Sequence, residues 1–169
     1  MDSSTKNTTF TYSDTNVGKT KKFFNEKGLG ISSFGFIGNF LGESGLDPTK
    51  VNLAEKKRSN KYGAGIYQIS NERKLAWEKK HGKKFETASL EEQLDSAWEE
   101  AQQRPVLMRE LSRIDRDYNA GYLDRDDAIR QATSAVLLGF ENGSNNKMLT
   151  PQGFDLVYLK NKLNRQSYQ

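Results

Sequence analysis

The chain has 169 residues, which argues for one domain, since domains run to roughly 100–200 residues. Its mean hydropathy of -0.84 and 28% charged residues describe a wet surface. No stretch approaches the roughly 18 apolar residues of a membrane span, and the polar opening MDSSTKNTTFTYSD lacks the apolar region of a signal peptide. Cysteine is absent, which excludes disulfides, thiol nucleophiles and thiolate metal sites, and the single histidine, His81, leaves little room for a Ser-His-Asp hydrolase or a histidine zinc centre. Chemistry here must rest on carboxylates, hydroxyls, amides, Lys and Arg, and the net charge of +4 favours an anionic polymer without naming it.

In chain order, residues 1–19 are rich in Ser, Thr and Asn and read as a flexible arm or linker. A short helix over Lys21 to Lys27 ends at Gly28. Ser32 or Ser33 can cap a second helix, with Phe34, Phe36, Ile37, Phe40 and Leu41 at helical intervals and Gly45 closing it before Asp47-Pro48. The basic stretch Leu53–Lys61 follows, then Tyr62–Ile69, whose Gly63 and Gly65 predict a Gly-rich turn or small β-hairpin. Asn71 caps a helix that stops at Gly82. Ser89 and Glu92 have capping-box spacing ahead of the next helix, which Pro105 closes. Further helices begin near Pro105, run from about Asp124 to Phe140, and open at Thr150-Pro151. The expectation is a mainly α domain with one small β-hairpin or Gly-rich insert.

Three segments could carry chemistry. Glu43 closes a helix of glycine, amide and large apolar residues, so desolvation and the negative helix end would both favour its protonated form, as a general acid requires. The alternative is a solvated helix-end glutamate. In Tyr62–Ile69, small residues allow close backbone approach, while Tyr67 and Gln68 offer a stacking face and amide bonds of the kind sugars use; a plain turn before a core strand reads equally well. Phe140-Glu141-Asn142-Gly143 is either a second functional segment or a helix C-cap. The basic run Lys56-Lys57-Arg58 with Lys61 reads as a solvated loop, and His81 as an exposed helix-end residue. Asn7-Thr8-Thr9 and Asn142-Gly143-Ser144 match the glycosylation sequon, but nothing points to a eukaryotic secretory route.

Taken in order, FFNEKGLG, IGNFLGESGLDP, GIYQIS, NERKLAWEKK, SLEEQLD and LLGFEN resemble the phage tail lysozyme family across about residues 21 to 160. The resemblance implies a lysozyme-like helical domain over residues 20–165. It implies cleavage of the β-1,4 bond between N-acetylmuramic acid and N-acetylglucosamine at the virion tail tip, opening the host wall during genome entry without a signal peptide. Glu43 would be the catalytic acid, Glu141 a second catalytic carboxyl, and Asn39, Tyr67, Gln68 and Asn142 substrate contacts. Asp47 and Glu55 are the other candidates for the second carboxyl. No metal or cofactor is expected. The expected partners are peptidoglycan strands and phage tail proteins, with no nucleic acid and no membrane. A lytic transglycosylase using the same Glu43, or a non-catalytic wall-binding module, are the alternatives.

Overall fold

The structure, a computed structural model, describes residues 15–141. It is mainly helical: α1 (Asn16–Glu26), α2 (Ser33–Ser44), a one-turn α3 (Leu53–Lys56), α4 (Asn71–His81), α5 (Leu90–Gln102), α6 (Pro105–Asn119) and α7 (Arg125–Val136). A 3₁₀ turn at Phe85–Thr87 precedes α5, and a π-helical turn, Leu137–Glu141, continues α7. The described residues contain no strand; the isolated antiparallel bridges Val51–Ala64 and Ala64–Ile69 make the insert Gly-rich rather than a hairpin.

Local chemistry accounts for most boundaries. Ser89 and Glu92 form the anticipated capping box, Pro105 opens α6, and the Asp124 carboxylate accepts from Asp127 N at 2.8 Å to start α7. Gly45 and Gly82 end α2 and α4 in the left-handed region. Helix α4 begins at Asn71 with Ser70 at its cap position, so the cap lies one residue earlier than expected. Helix α1 starts inside the stretch read as an arm. Thr15 Oγ1 accepts from Gly18 N, Val17, Thr20 and Phe24 are buried on one face, and Asn16 Nδ2 donates to the Leu46 carbonyl. Residues 16–19 of that stretch thus belong to α1. The helix expected at Thr150 lies outside the described residues.

Helices α2 and α7 form the centre of the domain. They approach so closely at Gly35 that a Cβ there would stand 2.5 Å from the Ala132 carbonyl oxygen, and four residues on, Asn39 Nδ2 donates to the Thr133 carbonyl. Phe24 stacks on Phe36 at 4.4 Å, and Phe36 and Phe40 meet Phe140 edge-on or tilted, so α1, α2 and the π turn share one aromatic core. The start of α2 is held from a distance. Ser32 makes no side-chain cap bond. Instead Asp115 of α6 accepts from Gly30 N, Ser32 N and Ser32 Oγ at 2.7–3.0 Å, which places a carboxylate at the positive helix end.

Candidate active site

Two helix ends deliver the carboxyls. Glu43 lies in the last turn of α2, before the Gly45 cap, and Glu141 ends the π turn after α7. Glu43 is exposed, whereas Glu141 is largely buried, and its Oε2 meets no hydrogen-bond partner. Burial, followed by the negative charge of Glu43, pushes the Glu141 carboxyl well above the usual carboxylate range; Glu100 adds to this, and Arg73 and Arg104 oppose it. Burial thus desolvates the carboxyl at the end of the π turn, a position that helix composition does not single out.

A wall of polar groups stands around Glu141. The Tyr67 hydroxyl donates to Glu100 at 2.6 Å, which leaves its oxygen to accept from Ser96 Oγ at 2.8 Å. Burial and the Glu100 charge hold that phenol protonated. Arg73 pairs with Glu100 from α4, and Arg104 approaches the same carboxylate at 3.6 Å. Arg104 also donates to the Gly139 carbonyl at 3.4 Å and lies 5.4 Å over the Phe140 ring, so it clamps the backbone that aims Glu141. Phe140 is wedged among Phe36, Phe40 and Tyr67, so the approach to Glu141 is set by packing.

The other expected contacts are distributed unevenly. Tyr67 is 3% exposed and acts from behind the site, through Glu100. Asn39 is buried, with its Nδ2 committed to the Gly35 and Thr133 carbonyls, so this amide joins two helices rather than facing a sugar. Gln68 is half-buried at φ 55°, and its Nε2 donates to the Lys50 and Gly65 carbonyls. Asp47 is engaged by the backbone N and hydroxyl of Thr49, and Glu55 accepts from Gly63 N, while the Glu141 carboxyl feels the charge of Glu43. Asn142 lies outside the described residues. His81 is exposed as expected, stacked on Trp77 at 4.0 Å.

Arg73, Ser96, Glu100 and Arg104 escaped sequence reasoning. Ser96 and Glu100 share one face of α5 at i, i+4 spacing, and Arg104 follows just past the helix end, but Arg73 joins them only through its ion pair with Glu100, across from α4. Among the described residues no cluster of His, Asp and Glu suits a metal ion, and no helix is long and apolar enough to cross a membrane.

The helical domain thus sets a largely buried carboxyl, Glu141, within electrostatic reach of an exposed one, Glu43, and these are the groups it offers for acid–base chemistry. The chain matches the family described as phage tail lysozyme over residues 15–168, and it belongs to that family. By family it is a phage lysozyme-like cell-wall hydrolase. No curated protein and no solved structure is matched by the chain.

Proposed function

We propose that this chain is a peptidoglycan glycosidase that cleaves the β-1,4 bond between N-acetylmuramic acid and N-acetylglucosamine, acting from the phage tail tip during genome entry. The observation that carries this reading is the Glu43–Glu141 pair at the ends of the two most closely packed helices, within a family of phage tail lysozymes. Glu43, at the exposed side, protonates the leaving glycosidic oxygen. Water adds its hydroxyl to the anomeric carbon, and its remaining proton returns to a carboxyl. Gln68 and Asn142 contact the sugar, while Asn39 and Tyr67 hold the frame from behind.

One observation favours a second reading. Glu141 is largely buried and its carboxyl holds its proton above the usual carboxylate range, which weakens it as a base for activating water. A lytic transglycosylase needs no such base, because the 6-hydroxyl of the muramic acid closes on the anomeric carbon. Product analysis separates the two: reducing muramic-acid ends establish hydrolysis, and 1,6-anhydro ends throughout overturn it. For either reaction Glu43→Gln should lower the clearing of purified peptidoglycan by about 100-fold or more. Because Glu43 is exposed, its thermal midpoint should stay close to that of the parent. Retained clearing in that variant would remove Glu43 from the mechanism.

A further inference from the structure

The charge of this protein is not spread evenly. Residues 50–84 carry eleven of the 26 Lys and Arg residues against three carboxylates, while the other 134 residues hold 15 cations against 19 carboxylates. The modest net charge of +4 is thus the difference between a strongly basic segment and an acidic remainder.

That segment folds as one unit. The loop from Lys50 to Ile69 is fastened to α4: Asn71 N donates to the Lys61 carbonyl, Lys61 pairs with Glu72 at 3.1 Å, and Lys74 Nζ donates to the Asn60 carbonyl at 2.8 Å while lying 3.7 Å over the Tyr62 ring. Lys74 is the buried cation of the group; the other ten are exposed. Lys56, Lys61, Arg73 and Lys83 are matched by Glu86, Glu72, Glu100 and Glu92. Lys50, Lys57, Arg58, Lys79, Lys80 and Lys84 make no ion pair among the described residues. Exposed cations without carboxylate partners repel one another, and a polyanion relieves that cost by releasing its condensed counterions.

We propose that this loop–α4 lobe is a docking surface for a phosphodiester polymer attached to the wall glycan. The inference rests on the peptidoglycan reading for the polymer's location, and two observations favour that partner over nucleic acid. Arg73 sits on α4 and reaches Glu100 beside the catalytic pair, so a polymer on the lobe is tethered next to the strand being cut, which raises its effective concentration there. The aromatics of the lobe are also engaged elsewhere, since Tyr62 and Tyr67 are buried and Trp77 is stacked on His81, leaving no platform for bases.

The test uses the full chain carrying Glu43→Gln, so that cleavage does not alter the ligand. Its binding is measured to sacculi bearing glycerol-phosphate polymer, to the same sacculi after chemical stripping of that polymer, and to duplex DNA. Reversing Lys57, Arg58, Lys79 and Lys80 to Glu should weaken binding to the polymer-bearing sacculi by roughly tenfold or more and flatten its salt dependence. Reversing Lys19, Lys22, Lys27 and Arg109, an equal charge change outside the lobe, should cost far less. Equal losses in the two variants, no loss in the first, or tighter binding to DNA than to the polymer would overturn the proposal. With Glu43 restored, the lobe variant should still cleave stripped sacculi. Failure of the parent chain to cleave them would sink the glycosidase reading while leaving the polymer-binding result to stand or fall by itself.

Discussion

Helices α2 and α7 and the loop between Leu46 and Ile69 are both largely buried where they meet the core, yet they are held by different forces. The helix pair rests on apolar contact: Phe36, Ile37, Phe40, Ile129, Ala132 and Val136 are essentially inaccessible, and Asn39 supplies a polar link between the two helices. The loop is held by side chains that answer backbone groups no ladder satisfies. Gln93 accepts from Ile66 N and donates to the Pro48, Phe85 and Ala88 carbonyls, Ser44 Oγ donates to the Ile66 carbonyl, and Glu55 accepts from Gly63 N. Burial without regular structure is affordable only where each polar group finds a partner, so the loop depends on a few particular residues and the helix pair on bulk packing.

The sharpest way to test this division is to damage each region and ask what opens. Phe36→Ala should cost about 3–5 kcal/mol through the cavity it leaves between α1, α2 and the π turn. Urea unfolding should record it as a loss of the whole domain. Gln93→Leu should cost about 2–3 kcal/mol, because it strands several buried backbone groups at once. Its signature is local: amide exchange should quicken over residues 46–69 while α2 and α7 keep their protection, and uniform acceleration would erase the distinction.

Smaller effects probe the seams. Asp115→Ala removes the carboxylate that caps α2 from α6 and should cost about 1–2 kcal/mol, read by thermal unfolding. At the end of α7, the Glu141 carboxyl is raised in the folded state, so the fold binds that proton more tightly than the unfolded chain does. Its stabilising contribution is complete below the ordinary carboxylate range and is lost as the pH rises through the raised value. The thermal midpoint of the parent should therefore fall over that window, and Glu141→Gln should flatten the fall. An unchanged slope in that variant would assign the dependence to other groups.

The helices are legible in the sequence because their signals are local. The Ser89–Glu92 box, Pro105, Asp124 and the Gly45 and Gly82 caps each act within a turn of the boundary they set. The start of α1 was missed although Val17, Thr20 and Phe24 share one face, because the Ser- and Thr-rich surroundings of Thr15 look like linker. The Asp115 cap was illegible for another reason: 83 residues separate it from Ser32.

The candidate site divides along the same line. Composition without cysteine and with one histidine confined the chemistry to carboxyls, and motif order drew attention to Glu43 and Glu141 before any fold was in view. That the Glu141 carboxyl is desolvated was decided by tertiary structure alone, because its burial depends on where the π turn ends and on how Phe140, Tyr67 and Arg104 close around it. The same holds for Tyr67 and Asn39, whose side chains suit sugar binding by type but whose polar atoms are taken by Glu100 and Thr133. A sequence determines which groups exist and which helix turn carries them; their protonation and availability follow from neighbours that only the folded chain brings within a few ångströms.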